Sequence, residues 1–329
     1  ALGIVSPIIS PTGSTIAFTA LGDLWLWRPD TNELRNLTDD PFAEQMPKWS
    51  PDGGRIAYIS DRTGTPDLWV YDLNQNRHVQ LEIAWRGISY PTWSPDGQAI
   101  AAFTRIAGSQ LASQLIVANL RDGSITPVHV PTPSQPISWS PDSAYVATTA
   151  LAPYSSRYRE GIYQLIVSEP GAEEGIITVP VAHRNITDVS LTPSGQAMTY
   201  IQDGLLWHLD LDEDFAPAGP PTRLVDELAD APSWSRGGEF MVYMNADRMK
   251  KLNVATGATT DITPPGVTWR RDQPVEDWVL RVGSLFDGRT EKYQHDVDIR
   301  IVGNRIAAIS PADFEVIPTI DASDKTAIP

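Results

Sequence analysis

Apolar and polar segments alternate in a repeating pattern along the first 265 residues of the chain. In the copy that begins at Lys48, Trp49 and Ser50 lead into a polar "PDGG" segment. An apolar run "RIAYIS", a polar loop "DRTGTP", a second apolar run "DLWVYDL" and a more polar segment "NRHVQLEI" follow in that order. Proline presets φ, aspartate bonds the local backbone and glycine tolerates a positive φ, so the first polar segment predicts a tight turn. The unit therefore predicts four short β-strands, of which the first ends at this turn.

The two apolar runs do not alternate between apolar and polar positions. Ile56 and Tyr58 would point to one side of their strand, while Ala57 and Ile59 would point to the other. Both faces of such a strand must be covered by protein, as happens when sheets stack face to face.

The unit occurs six times. Its turn position is occupied in succession by Pro11, Pro51, Pro95, Pro141, Pro193 and Arg236, which lie 40 to 52 residues apart. Four-stranded units of this length are typical of β-propeller blades. The pattern predicts an all-β chain in which residues 1–265 form a six-bladed β-propeller of four-stranded antiparallel blades.

The segment W-S-P-D-G, followed some twenty residues later by D-L-W-V-Y-D-L, resembles the TolB-like propeller repeat, a WD40-like repeat also called PD40. The fifth copy departs from it with "LTPSG", and the sixth carries Arg236 in place of the proline. In this interpretation Asp52, Asp96 and Asp142 are turn residues rather than a carboxylate site. Most of the eleven tryptophans are expected to pack between blades.

Composition narrows the classes of partner. The formal net charge of -16 makes nucleic acid and anionic membrane surfaces poor partners. The chain has no cysteine, which suits an exported bacterial protein. It also has no run of 18 apolar residues, so no membrane insertion is expected, and its first residues lack the pattern of a signal peptide. The expected location is the bacterial periplasm or the outside of the cell.

Positive charge is predicted on one face of the disc. In a four-stranded blade, the loop from strand two to strand three and the crossing to the next blade lie opposite the first turn. The candidate rim residues on that face are Arg62, Arg86, Arg105, Arg157, Tyr158, Arg159, His183 and Arg184. They predict a docking surface for a carboxylate-bearing substrate or an acidic partner. The alternative is that the arginines pair with aspartates such as Asp39, Asp61 and Asp188 and fasten neighbouring loops.

The pattern changes after residue 265. Residues 266–275 predict a linker, and residues 276–329 contain a strand ending at "DG", an alternating segment "HDVDIRIV" that turns at Gly303-Asn304, and "IDASDKTAIP". These three segments, in this order, resemble the entry to metal-dependent amidohydrolases, in which such strands form half of a β-sandwich beside a catalytic barrel. Asp324 departs from that pattern, which has glycine after the serine.

Catalytic and metal-binding signatures are absent from the sequence. His78, His129, His183, His208 and His295 are isolated, without an H-x-H pair, and there is no G-x-S-x-G segment or phosphate-binding loop. The chain is therefore expected to contain no catalytic residue, no metal ligand and no cofactor. Zinc or another divalent metal is implied only for the barrel of the resembled family.

Three functional hypotheses follow. The first is the amino-terminal part of an exported amidohydrolase, in which the propeller packs on the barrel and steers a peptide or small amide substrate. The second is a non-enzymatic TolB-like propeller that binds a protein or peptide in the bacterial envelope. The third is the gating propeller of a serine peptidase, which residues 276–329 do not favour. Half a sandwich would also leave free strand edges that could mediate self-association.

Overall fold

The chain is described by a computed structural model. It describes residues 3–81, 87–105, 113–130, 133–153, 161–173, 177–180, 186–266, 277–288, 290, 292–302, 305–315 and 320–328. The chain divides into two compact units, residues 1–267 and 268–329. The described residues form 28 β-strands and one short 3-10 turn, Pro29–Thr31. No helix among them is long and apolar enough to cross a membrane.

The first unit consists of consecutive four-stranded antiparallel sheets, each built from strands that follow one another in the chain. The first three sheets contain β1 (Val5–Ile9), β2 (Ile16–Ala20), β3 (Asp23–Arg28), β4 (Glu33–Asn36), β5 (Glu44–Trp49), β6 (Arg55–Ser60), β7 (Asp67–Asp72), β8 (Arg77–Gln80), β9 (Ser89–Trp93), β10 (Ala99–Arg105), β11 (Ser113–Asn119) and β12 (Ile125–Val128). The next three contain β13 (Pro133–Trp139), β14 (Val146–Pro153), β15 (Gly161–Ser168), β16 (Ile177–Pro180), β17 (Ile186–Leu191), β18 (Ala197–Gln202), β19 (Leu205–Asp210), β20 (Thr222–Leu228), β21 (Asp230–Trp234), β22 (Phe240–Asn245), β23 (Arg248–Asn253) and β24 (Ala258–Asp261).

The apolar core of this unit lies between neighbouring sheets. Ile56 and Tyr58 of β6 pack towards the preceding sheet, whereas Ala57 and Ile59 pack towards the following one. All four side chains are buried. The prediction that both faces of this strand are covered is confirmed, because each sheet is sandwiched between two others.

The last sheet packs against the first. Phe18 and Trp27 of the first sheet share a buried cluster with Val242 and Met249 of the last. The Trp27 indole donates a hydrogen bond of 2.8 Å to the carbonyl oxygen of Ile262. The first strands β1, β5, β9, β13, β17 and β21 also contact one another in sequence, and β21 contacts β1. The sheets therefore close into a ring around their first strands, an arrangement consistent with a β-propeller.

The turn between the first and second strand of each sheet is held as the sequence predicts. The Ser50 hydroxyl lies 2.5 Å from a carboxylate oxygen of Asp52, which also accepts the Gly54 N–H at 3.0 Å. The same serine–aspartate contact recurs at Asp96 and Asp142. These hydrogen bonds lower the pKa of each aspartate, and all three are turn residues, as predicted.

Each first strand is interrupted by a β-bulge before this turn. In the second sheet Gln45 pairs with Ile59 and Lys48 pairs with Ala57, so two residues oppose the single residue Tyr58. Equivalent irregularities occur in the other five sheets of the unit. In five of the six, a residue other than glycine has a positive φ five positions before the turn position; these residues are Ser6, Met46, Tyr90, Asp188 and Ala231. Such a bulge re-aims the side chains that follow it.

The second unit contains one mixed sheet of β25 (Asp277–Leu285), β26 (Gln294–Val302), β27 (Arg305–Pro311) and β28 (Ile320–Ala327). Its strand order is β27-β26-β25-β28, and β28 runs parallel to β25. β26 and β27 pair antiparallel as the alternating sequence predicts, while their connection at 303–304 lies outside the described residues. Val282, Leu285, Val297 and Ile299 form its buried cluster.

One residue of the second unit differs from what its alternating sequence indicates. The alternation groups Asp298 with Arg300 as polar positions opposite Val297 and Ile299, which predicts a solvated face, but Asp298 is buried. Its two carboxylate oxygens accept hydrogen bonds of 2.7 and 2.8 Å from Arg281 on β25. Phe314 covers the guanidinium, whose carbon lies 5.0 Å from the ring centroid. A buried carboxylate is tolerated here because a guanidinium satisfies it in a two-pronged geometry.

Candidate binding channel

The first strands of all six sheets surround a cavity of about 460 Å³ at the end of the ring that carries the first turns. We call this end the turn face and this space the turn-face cavity. One residue from each sheet, always three positions before the turn position, lines it: Ile8, Lys48, Thr92, Ser138, Ser190 and Ser233. The turn prolines and the tryptophans Trp49, Trp93, Trp139 and Trp234 complete the wall. Equivalent positions of the six sheets thus form the cavity wall, and the residue three positions before the turn differs in type between the sheets.

The charges around the turn-face cavity contrast with the acidity of the whole chain. Two cationic residues, Lys48 and Arg236, line it. Among the described residues no aspartate or glutamate does so, although the chain has 41 acidic residues. The Arg236 guanidinium donates a 2.7 Å hydrogen bond to the carbonyl oxygen of Pro51 and is fixed at the mouth. The described lining of the cavity thus carries two basic groups and no acidic one, although Asp188 lies close enough to act on the pKa of Lys48.

Lys48 is the charged member of the ring of six lining positions. It is deeply surrounded by protein, although its side chain keeps part of its surface open to the cavity. Desolvation lowers its pKa, and the attraction of Asp188 only partly opposes this effect. Burial likewise raises the pKa of Asp188, and the nearby charge of Asp230 adds to the increase. Both groups are thus displaced towards their neutral forms, which is typical of charges held in a poorly solvated space.

Two of the lining serines tie neighbouring sheets together. The Ser138 hydroxyl accepts a hydrogen bond of 3.1 Å from the backbone N–H of Leu191 in the next sheet. Ser233 accepts one of 3.3 Å from Ile9 across the junction between the last and first sheets. These contacts fix the wall of the cavity on two sides, so its shape is set by the ring.

Arg62 lies where the sequence places it, in the loop that follows β6, but its guanidinium is already engaged. It donates to Asp40 at 2.7 Å and to Glu44 at 3.0 Å, and its side chain is 13% exposed. The guanidinium carbon also lies 5.6 Å from the Trp69 ring centroid. Arg62 therefore fits the alternative in which the arginines fasten loops.

Its partners nevertheless differ from those expected. Asp39, Asp61 and Asp188 were the predicted candidates, whereas Asp40 and Glu44 make the contacts. Asp61 instead accepts a hydrogen bond from the backbone N–H of Ala43.

Glu44 is a buried carboxyl group with a strongly raised pKa. Its side chain is completely buried, and it accepts hydrogen bonds from Thr38 at 2.6 Å and Ser60 at 3.0 Å. Desolvation raises its pKa to about 7 despite these bonds and despite Arg62. The guanidinium is shared with Asp40, whose negative charge raises the pKa further. Glu44 also borders a cavity of about 370 Å³ at the crossing face, the end of the sheets opposite the turn face.

The other predicted rim residues give less information. Arg105 is exposed at the end of β10, and its side chain approaches Gly87. Arg86, Arg157, Tyr158, Arg159, His183 and Arg184 lie outside the described residues. The rim on the crossing face thus stays a prediction.

Lys48 is the residue that the sequence analysis missed. A signal was available, because a proline recurs four residues before the turn position at Pro7, Pro47, Pro91 and Pro232. Proline lacks an N–H group and is confined in sheets to edges and bulges. The recurring proline marks the bulge, and Lys48 follows the bulge directly. The position of the bulge therefore indicates which residue of each first strand lines the cavity.

Metal chemistry has no candidate ligands in the part of the chain that the structure describes. No three His, Cys, Asp or Glu residues there are grouped so that they could hold an ion. His295 lies 3.1 Å from the Ser284 hydroxyl rather than in a group of carboxylates. The zinc implied by the resemblance belongs to the catalytic barrel of the resembled family and stays a prediction.

The family comparison concerns the first half of the chain. Residues 3–160 match the family model described as PD40, TolB beta propeller domain. The Protein TolB homolog of Chlorobium luteolum is 35% identical over 60 residues, which are 18% of this chain and 14% of that protein. Tricorn protease homolog 1 of Streptomyces coelicolor is 37% identical over 60 residues, 18% of this chain and 6% of that protein. The matched segment is thus a small part of both relatives.

Solved structures extend the likeness to the fold. TolB from Acinetobacter baumannii has a TM-score of 0.58 at 16% identity, with 78% of this chain and 62% of that chain covered. The tricorn protease has a TM-score of 0.59 at 14% identity, covering 91% of this chain and 29% of that chain. The chain spans less than two thirds of either structure. Residues 3–160 therefore carry a TolB-like propeller sequence, in an all-β chain whose first unit consists of four-stranded antiparallel sheets consistent with a β-propeller.

Proposed function

We propose that the first unit is a closed, six-bladed TolB-like propeller that binds a peptide or protein segment at the turn-face cavity. The observation that carries this proposal is the cavity itself, which receives one lining residue from every sheet and two positive charges. Its volume of about 460 Å³ falls within the range of roughly 300–1,000 Å³ that is usual for ligand pockets. The TolB-like sequence of residues 3–160 supports a binding role in the bacterial cell envelope.

A pair of blocking variants tests the site. Peptides are first selected from a random library on the unaltered chain. Their affinities are then measured for Ser190→Tyr, which places a ring in the turn-face cavity, and for Arg105→Trp, which adds bulk at the crossing face. Circular dichroism and thermal unfolding establish that both variants are folded.

Two results separate the faces. Loss of binding to Ser190→Tyr, with binding to Arg105→Trp unchanged, supports the turn-face cavity. The reverse result would transfer the site to the crossing face, where the sequence analysis places its rim, and would overturn the proposal.

A second candidate is that the chain is the amino-terminal part of a longer exported hydrolase whose substrate the propeller steers. The second unit favours it, because its open sheet places "IDASDK" on β28, parallel to the strand that ends near "FDG". Two of its strands, β27 and β28, are edges, and β27 is exposed throughout. In this candidate an amidohydrolase barrel would be the partner of the sheet and would supply the metal. An H-x-H pair encoded shortly after Pro329 would support it, and a stop codon there would exclude it.

A further inference from the structure

We infer that the turn-face cavity is a carboxylate-binding site in which Lys48 holds a free carboxylate of the bound peptide. This inference rests on the proposed function and adds the chemistry of its ligand. The carboxylate is either the carboxyl terminus of the peptide or an acidic side chain that enters the cavity.

The ammonium group of Lys48 has no direct partner in the part of the chain that the structure describes. Among the described residues it makes no hydrogen bond and no ion pair within 4.0 Å. A lysine has three N–H donors, and leaving a buried charge without partners is costly. Asp188 attracts it from a greater distance, but desolvation still dominates its pKa. A ligand oxygen in the cavity would supply the missing acceptor.

The groups that line the turn-face cavity suit a ligand with one negative charge. Lys48 is the cation inside the ring, Arg236 lies at the mouth, and no described acidic residue lines the space. Thr92 brings a hydroxyl group to the same level as a donor for the second carboxylate oxygen, whereas the Ser190 hydroxyl already donates to the carbonyl oxygen of Leu191 at 3.2 Å. One buried ammonium matches one negative charge, while a dianion would leave a second charge poorly compensated in a desolvated space. The chemistry therefore favours a carboxylate over a phosphate.

Lys48 is expected to add little to the stability of the folded state. Replacing a buried, poorly paired charge by an apolar side chain of similar length is often neutral or stabilising. The other sheets place isoleucine, threonine or serine at this position, so ligand recognition accounts for a lysine that is not expected to stabilise the fold. Lys48→Met should accordingly unfold at the same temperature or higher, while losing carboxylate binding.

The test compares a matched pair of ligands. N-acetyl-diglycine and its uncharged amide are titrated into the full chain at low ionic strength, and binding is measured by calorimetry and NMR. We expect the acid to bind about 10-fold to 100-fold more tightly than the amide, the gain of one charge-assisted contact. Lys48→Met and Lys48→Gln should abolish this preference. Lys250→Met, in β23 and away from the cavity, should retain it.

The pH dependence of binding provides a second test. The preference for the acid should fade as the pH rises and Lys48 loses its proton, at a lower pH than for an ordinary lysine, because desolvation lowers its pKa. No such fading is expected in Lys48→Gln.

Several outcomes would overturn the inference. Equal binding of acid and amide would do so while leaving peptide binding at the cavity intact, and so would a preference that survives in both Lys48 variants. Inorganic phosphate binding more tightly than N-acetyl-diglycine would replace the carboxylate by another anion. Failure of the proposed function itself would appear separately, as library peptides that ignore Ser190→Tyr.

Discussion

Removing the charge of Glu44 should change how the stability of the propeller depends on pH. A carboxyl group whose pKa rises from 4.5 in the unfolded chain to about 7 in the folded chain prefers to be protonated when folded. Its contribution to stability is complete below pH 4.5, declines as the pH approaches 7, and is lost above it. At about 1.36 kcal/mol per pKa unit, the ceiling is about 3.4 kcal/mol. Hydrogen bonding and residual solvation reduce our expectation to about 1–3 kcal/mol.

The assay is urea unfolding between pH 5 and pH 8, followed by tryptophan fluorescence. We expect the free energy of unfolding to fall more steeply with pH in the unaltered chain than in Glu44→Gln, by the amount given above. His78 contributes in the opposite direction, since burial lowers its pKa, and it remains in both chains. Glu33→Gln, which removes an exposed ion pair with Arg28, serves as the control and should leave the pH slope unchanged.

Parallel slopes for the unaltered chain and Glu44→Gln would refute this reasoning. They would mean that Arg62 keeps Glu44 ionised through this pH range.

Two further predictions concern packing. Gly195→Ala should destabilise the first unit by about 1–3 kcal/mol more than Gly123→Ala. Both glycines have a positive φ, but only the Cβ added at Gly195 would meet a proline ring, at 2.8 Å. Equal unfolding midpoints in urea would contradict this prediction. Asp298→Asn should make the second unit more sensitive to limited proteolysis, because it weakens the buried contact with Arg281. Asp296→Asn changes an exposed position that asparagine tolerates and should not have this effect. Equal cleavage rates would show that the contact with Arg281 does not stabilise this unit.

The turns and the strand faces of the repeat could be predicted because they depend on neighbouring residues. The serine and aspartate of the "SPDG" turn lie two positions apart, and Ile56 and Ala57 point to opposite sides of one strand by geometry alone. The lining of the cavity could not be obtained in the same way. Lys48 lies between the bulge and the turn, in regular register with Ala57, so its face of the strand can be counted. That this face lines a cavity depends on how the first strands of the six sheets meet around the ring.

The fate of Arg62 illustrates a second limit. Sequence places it in the loop after β6 and identifies acidic residues in neighbouring segments, but it does not determine which carboxylates the guanidinium meets. Glu44 begins β5, which pairs with β6, Asp40 lies between β4 and β5, and both carboxylates are within 3.0 Å of the Arg62 guanidinium. A charge pattern therefore identifies basic residues but does not show which of them are free to bind a ligand.

The indole N–H signals of the tryptophans report whether ligands enter at the turn face. Trp49, Trp93, Trp139 and Trp234 line the turn-face cavity, whereas Trp69 lies beside Arg62. In an NMR titration with a library-selected peptide, we expect the signals of the four lining indoles to shift and that of Trp69 to stay unchanged. Shifts at Trp69 with the four lining indoles unchanged would contradict this expectation.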